Sequence, residues 1–318
     1  LPPNFRRAVV ALGVFDGLHA AHMEIVQRII RSAREEQACS MMITFDPHPR
    51  QVLNRSKDFH LPILSPPTEK MKILGNTDLD AVLFLEANRE FLNLSEQSFV
   101  KDILGAEIRP RKVVVGYDYH FGKQRGGSPD LLKSMGPRYD FETEIVPPYK
   151  IDGSLVRSSV IRNLLQQGSV VEAARFLGRP YSFAGYVVTG ASRGRTLGFP
   201  TANLSLHDSA KVIPGNGVYL VRVNLHDKLY SGLCYIGERS TFNERKRVIE
   251  NHILDFPEAD LYGEELEIQF IERVREDRKF ESTEALKEQI QLDEKYCRDK
   301  IFKVKNKKYQ MEDRLNDR

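Results

Sequence analysis

The spacing of apolar runs changes character near residue 180, and that change constrains the fold more than any other feature of this 318-residue chain. Before it, short β-branched runs alternate with stretches of helical period. The runs are "AVVALGVF" (8–15), "SMMITF" (40–45), "AVLFL" (81–85), "KVVVGY" (112–117) and "ETEIV" (142–146). Between the first two lies "HMEIVQRIIRSAREEQ", in which Ile25, Val26, Ile29, Ile30 and Ala33 share one helical face. This alternation predicts an α/β domain of βαβ units, with a mostly parallel sheet covered by helices. "RSSVIRNLLQQGSVVEAARFLG" (157–178) reads as two helices broken at Gly168. After "RPYSF" come "GYVVTG", "GVYLVRVNL", "KLYSGLCYIG", "RVIENHILDF" and "ELEIQFIERV", closely spaced with turn residues such as "LHDK" between them. No long helix intervenes, which predicts an antiparallel sheet or small barrel. A last amphipathic helix over about 283–301 follows Ser282, with Glu284 in its first turn. The tail "KVKNKKYQMEDRLNDR" reads as a solvated end. The boundary near 180–184 gives domains of 1–182 and 183–318.

Composition narrows the partners. With 47 basic and 44 acidic residues, the formal net charge of +3 lacks the basic excess of a dedicated nucleic-acid binder. Small anionic ligands stay open. Cys39, Cys234 and Cys297 are far apart and form no CxxC pair, so neither a disulfide scaffold nor a zinc site is expected. "AVVALGVF" is too short for a membrane span and lacks the cleavage signature of a signal peptide. The reading is a cytoplasmic chain without membrane or nucleic-acid partners. It starts without Met, which suggests that a few residues precede it.

The chemistry concentrates where strands turn into helices. "GVFDGLHAAH" (13–22) follows the first strand, where a parallel sheet binds ligands and a helix start offers free N–H groups to an anion. His19 and His22, three apart, project from one side of the first helical turn. There they are candidate donors to phosphate oxygens. Read alone, the pair fits helix capping or a surface position equally well, and a metal site lacks a third ligand nearby. "TFDPHP" (44–49) and "GYDYHFGKQRGG" (116–127) set Asp, His and Arg at two further strand ends. The latter is not a Walker A loop, since five residues separate Gly116 from Gly122 and Gln124 stands where Ser or Thr must hold Mg²⁺. "RSSVIR" (157–162) offers two hydroxyls at a helix start with Arg162 on the first turn: a phosphate cradle, or simple N-capping.

In the second half, "GASRGRTLGFPTANL" (190–204) is Gly-rich and basic. Its glycines permit close backbone approach to a phosphate, and Arg193 or Arg195 can screen charge. Thr201 and Asn203 share one strand face and can reach one Mg²⁺. Glu250 and His252 form a second i,i+2 pair, with Glu250 a competent general base or merely the partner of a nearby Arg or Lys.

These stretches together resemble the bifunctional riboflavin kinase/FAD synthetase family. "GVFDGLHAAH", "TFDPHP", "VVVGYDYHFGKQRGG" and "RSSVIR" are similar to its FMN adenylyltransferase module, and "GRTLGFPTANL", "ENHILDF", "LYG" and "REDRKFES" to its riboflavin kinase module. The resemblance implies a Rossmann-like nucleotidyltransferase domain followed by a six-stranded Greek-key β-barrel with a terminal helix. It implies that His19 and His22 serve catalysis on the triphosphate, and that Gly13, Phe15, Asp16, Ser158, Ser159 and Arg162 bind nucleotide, the last three on pyrophosphate. Asp46, Asp118 and His120 would lie near flavin or nucleotide. In the barrel, Gly194, Arg195 and Pro200 would bind nucleotide, Thr201 and Asn203 would hold Mg²⁺ with ATP, Glu250 would be catalytic, and Arg275 and Phe280 would face flavin. The implied substrates are riboflavin, FMN and ATP.

Two departures stand out. Ala21 replaces the glycine of the family's histidine motif, and Arg157 precedes Ser158 and Ser159 where the family has Ser-Ser-Thr. Three alternatives follow: a riboflavin kinase whose first domain only binds nucleotide, a different nucleotidyltransferase of the HxGH type, and a flavin-binding protein without turnover.

Overall fold

The computed structural model describes residues 2, 5–190 except 55–60, 198–241, 244–257 and 260–316. Its contacts divide the chain into two compact units, Leu1–Ile161 and Arg162–Arg318. The division falls ahead of the change in strand spacing at 182, because the helix Val170–Leu177 packs on a strand of the second unit.

The first unit is a five-stranded parallel sheet in the order β3-β2-β1-β4-β5. Its strands are β1 (Val9–Leu12), β2 (Ser40–Asp46), β3 (Ala81–Glu86), β4 (Lys112–Gly116) and β5 (Glu142–Val146), followed by a short separate hairpin of β6 (Lys150–Ile151) and β7 (Ser154–Leu155). β1 is apolar at every position because both its faces are covered. Val9 and Ala11 pack with Ile25, Val26, Ile29 and Ile30 of helix α1 (Ala20–Glu35), whereas Val10 and Leu12 pack with Phe99, Val100 and Leu104 on the other side. The face expected of α1 is the one it buries.

β1 is shorter than the run 8–15 suggests. The strand ends at Leu12, and Phe15 sits at φ 50° in the loop that follows. Phe15 is apolar because its ring enters the core beneath α1, not because it extends the strand. A wide-wound helix over Phe99–Ile108 has no counterpart in the sequence reading.

The second unit is a closed antiparallel barrel in the order β10-β11-β12-β9-β8-β13. Its strands are β8 (Ser182–Val188), β9 (Ala202–Leu206), β10 (Gly217–Leu225), β11 (Lys228–Thr241), β12 (Glu244–Ile253) and β13 (Glu265–Glu276). β9 lies beside β12 rather than β10, which is the Greek-key connection. The β10–β11 hairpin turns on His226 and Asp227, both at positive φ, as a two-residue turn requires. β9 is the sixth strand, drawn from the stretch that reads as a Gly-rich loop.

Phe183 and Phe270 meet edge-to-face inside the barrel. On the outside, Val218, Leu220, Leu233 and Leu254 pack with Cys297 and Ile301 of the terminal helix. That helix runs Thr283–Asn316, well past the expected 301. No glycine or proline interrupts the Lys-rich tail, so helix propensity continues the backbone after the apolar stripe ends. Ahead of the barrel, the two helices Ser158–Gln166 and Val170–Leu177 break at Gly168, at φ 79°, as the sequence reading expects.

Candidate functional site

In the first unit the connections after β1 and β4 lead to opposite sides, so the carboxyl end of β1 lies at the switch point of the sheet. The Gly13–Leu18 loop leaves β1 there in a contorted path, with Phe15, Gly17 and Leu18 at φ 50°, 91° and 40°. Such a shape needs external ties. The carboxylate of Asp16 accepts the backbone N–H groups of Leu64 (2.9 Å) and Ser65 (3.1 Å). Gly17 N donates to Ser65 Oγ at 2.7 Å. Thr44 Oγ1 and Lys70 Nζ both donate to Val14 O, at 2.9 and 2.8 Å. Asp16 therefore shapes the loop with a buried carboxylate.

Gly17→Ala is expected to lower stability by about 1–2 kcal/mol, the cost of a left-handed side-chain residue. The Cβ would also crowd Leu64, 2.8 Å from its Cδ1 and 3.2 Å from its Cβ, which adds to the backbone cost. A thermal midpoint equal to the parent's would contradict this account of the loop.

The loop delivers His19 as the N-cap of α1. His19 Nδ1 accepts the backbone N–H of His22 at 3.4 Å, so in the neutral ring the proton resides on Nε2. The His22 ring stacks on His19 with centroids 3.5 Å apart, and Phe15 meets His22 edge-on at 5.2 Å. The pair thus caps its helix and presents ring nitrogens at an anion-favouring terminus. Ala21, in the same turn, is partly exposed.

The helix Ser158–Gln166 starts against the same loop, with Ser158 Oγ donating to Asp16 O at 2.8 Å. Ser159 is exposed; Arg162, one turn on, is 9% exposed. Arg157 ties this helix start to the loop after β4, donating to Tyr117 OH at 2.7 Å and lying 3.9 Å from Asp118. Asp46 and Asp118 stand exposed at the ends of β2 and β4. His120 turns back onto its own loop, with Nδ1 2.9 Å from Asp118 O and 3.4 Å from Arg125.

In the barrel, Glu250 pairs directly with Asn203 across β12 and β9. Thr201 Oγ1 reaches Glu250 Oε2 at 3.4 Å, so one face carries all three side chains. Glu250 is 9% exposed. A Cβ on Gly190 would lie 2.0 Å from Asn203 Nδ2, so the absence of a side chain at 190 is what leaves the amide its place. His252 braces the approach, with Nδ1 2.8 Å from Pro200 O and its ring edge-on to Phe199. Gly194 and Arg195 lie outside the described residues, as does Arg193.

Cys234 is no nucleophile, because burial holds its thiol far above the usual range. Arg275 is turned to the terminal helix, where Nε meets the buried Asp293 at 2.8 Å. Phe280 lies under the guanidinium groups of Arg275 and Arg278, 5.5 and 4.8 Å from its centroid. Sequence reasoning missed Lys70 and Ser65. Lys70 carried one legible signal: it stands one turn from Leu74, on the buried face of the helix Pro67–Leu74.

A hydroxyl and an amide oxygen are hard donors of the kind a divalent cation takes when nucleotide phosphates supply the rest of its shell. Among the described residues no group of three or more His, Cys, Asp or Glu could hold a metal alone. The donors Thr201 and Asn203, at the start of β9, therefore fit a cation that arrives with its nucleotide.

Two family models match in tandem: FAD synthetase over residues 1–160 and riboflavin kinase over 177–301. A bifunctional riboflavin kinase/FMN adenylyltransferase of Listeria monocytogenes is 36% identical over 294 residues, covering 91% of each chain. One of the same description from Bacillus subtilis is 33% identical over 293 residues, covering 90% of each. Among solved structures, one described as a macrolide-efflux protein from Streptococcus pneumoniae superposes with a TM-score of 0.83 at 32% identity, covering 92% of this chain and 94% of that one.

Proposed function

The chain belongs to the bifunctional riboflavin kinase/FMN adenylyltransferase family, and we infer that it carries out both reactions in that name. Riboflavin and ATP give FMN and ADP; FMN and a second ATP give FAD and pyrophosphate. We assign the adenylyl transfer to residues 1–182 and the kinase to 183–318. The observation that carries the kinase assignment is the convergence of Thr201, Asn203 and Glu250 on one barrel face.

In the kinase, Glu250 takes the proton of the ribityl 5′-hydroxyl as that oxygen attacks the γ-phosphorus and ADP leaves. Thr201 and Asn203 would hold Mg²⁺, which when bound with ATP neutralises phosphate charge. The Thr201 hydroxyl, the Asn203 amide oxygen and the Glu250 carboxylate are hard oxygen donors, which supports Mg²⁺ over a softer metal. Phe280 is proposed to face flavin. Arg275 is proposed to act through the loop it anchors, since its guanidinium is engaged by Asp293.

In the adenylyltransferase, an FMN phosphate oxygen attacks the α-phosphorus of ATP, and the P–O bond to pyrophosphate breaks. The nucleophile is already anionic, so the protein's task is alignment and charge neutralisation. His19, through Nε2–H, and His22 donate to phosphate oxygens. Ser158, Ser159 and Arg162 receive pyrophosphate, and Asp46, Asp118 and His120 border the flavin or nucleotide. Gly13, Phe15 and Asp16 form the loop beneath. Gly194, Arg195 and Pro200 complete the proposed nucleotide contacts of the kinase.

A cytoplasmic location belongs to the same reading, supported by three cysteines that are all free thiols. Among the described residues no helix is long and apolar enough to cross a membrane. Efflux, named for the Streptococcus structure, is not proposed for this chain, because both clusters of site residues serve nucleotide chemistry. The tandem match to both family models and to relatives named for both activities does not favour the kinase-only or binding-protein alternatives.

The test is direct. Riboflavin with ATP and Mg²⁺ should yield FMN and then FAD on chromatography of the flavins, and FMN supplied alone with ATP should yield FAD. Chelation by EDTA should stop FMN formation and excess Mg²⁺ restore it. FMN formation that persists under chelation would remove the cation from Thr201 and Asn203.

A further inference from the structure

Lys70 is a buried cation that the two reactions do not yet use. Its side chain springs from the core-facing side of the helix Pro67–Leu74 and is 4% exposed. Nζ donates to Val14 O at 2.8 Å and lies 3.3 Å from Thr44 Oγ1. Val14 opens the contorted loop that ends in His19, and Thr44 lies two residues before Asp46 at the exit of β2. The charged groups that act on the ammonium come from both neighbouring elements: Asp16 from the loop after β1 and Asp46 from the end of β2.

Hydrogen bonding alone does not explain the residue. Val14 O also accepts the Thr44 hydroxyl at 2.9 Å, so the carbonyl keeps a partner without the amine. Burial works against the charge, lowering the Lys70 pKa to about 8. A lysine whose pKa is depressed by folding weakens the fold below that pKa, and stability rises as pH climbs from about 8 towards the unfolded value. The chain thus keeps a cation that folding disfavours, at the carboxyl edge of the sheet where two carboxylates meet polyanionic substrates. Uncompensated, Asp16 and Asp46 would repel the phosphates that His19 and His22 must reach.

We propose that Lys70 is a positioning residue for adenylyl transfer: its buried ammonium offsets Asp16 and Asp46 and holds the Gly13–Leu18 loop so that His19 and His22 meet the phosphates. The proposal rests on the assignment of that reaction to the histidine loop.

The experiment uses the full chain and compares wild type, Lys70→Met and His22→Ala. Methionine keeps the length and removes the charge, so Lys70→Met should unfold no lower than wild type at pH 7, and riboflavin phosphorylation should serve as an internal control. FMN-to-FAD conversion should lose about 10–100-fold in kcat, the scale of a misplaced catalytic group, with the KM for ATP changing less. Wild-type conversion should fall as pH rises past about 8, because the working form is protonated, and the variant should lack that alkaline limb. Conversion at the parent rate in Lys70→Met, or an unchanged limb in the variant, would overturn the proposal. If Lys70→Met does not fold, the wild-type profile still decides: a rate that is flat through pH 9.5 excludes a working ammonium. Should His22→Ala leave FAD formation intact, the site assignment fails instead, which separates the two readings.

Discussion

Glu250→Gln is expected to reduce FMN formation by about 10²–10⁴-fold, the range of a lost general base, while FAD formation from supplied FMN continues. The substitution keeps the side chain's volume and its place opposite Asn203. It also keeps an oxygen able to accept the Thr201 hydroxyl, 3.4 Å from Glu250 Oε2. What it removes is the carboxylate proposed to accept the proton of the 5′-hydroxyl as the oxygen attacks. The measurement is initial rates of both half-reactions on one preparation, with flavins separated by chromatography. Equal loss of both would contradict separate sites in the two units. A small loss of the first would leave Glu250 a structural partner of β9 and return the search for the base to the rest of the barrel.

His22→Ala is the complementary variant. It removes the ring proposed as a donor at the start of α1, whose loss by analogy with an oxyanion-type donor should cut FAD formation by about 10²–10³-fold. Riboflavin phosphorylation should be unaffected. The ring stacks on His19 and meets Phe15, so its removal also frees the neighbour that caps the helix. Structural loosening and lost donation can be told apart by thermal unfolding. A collapse in FAD formation without a lower unfolding midpoint assigns the effect to the imidazole. FAD output at the parent rate would remove His22 from the mechanism.

Much of this was legible in the residues. The runs at 8–15, 40–45, 81–85, 112–117 and 142–146 are the five strands of the first sheet, and Ile25, Val26, Ile29 and Ile30 are the buried face of α1. The i,i+2 spacing of Thr201 and Asn203 was legible, but the strand begins at Ala202, so Thr201 stands one residue before it and still reaches Glu250 Oε2 at 3.4 Å. Local pattern was less reliable at ends. It carried β1 three residues too far because a buried loop residue and a strand residue are equally apolar, and it stopped the terminal helix at 301 because the apolar periodicity of the sequence ends there. Lys70 escaped notice because a lysine in a short helix reads as solvated surface.

The sequence by itself determined the two fold classes and the chemical types it offers at each proposed site: histidines at a helix start, a hydroxyl and an amide two residues apart at the start of one strand, a carboxylate on another. These follow from short-range period and residue type, which a single chain displays in order. Only the tertiary structure decided that Asp16 is spent on the N–H groups of Leu64 and Ser65, that Arg275 answers to Asp293, and that Lys70 lies beneath the histidine loop. Those roles are set by partners 18 to 56 positions away. No local period encodes such distances; closing the sheet and the barrel brings the groups together, and burial then fixes which charge must be met by which neighbour.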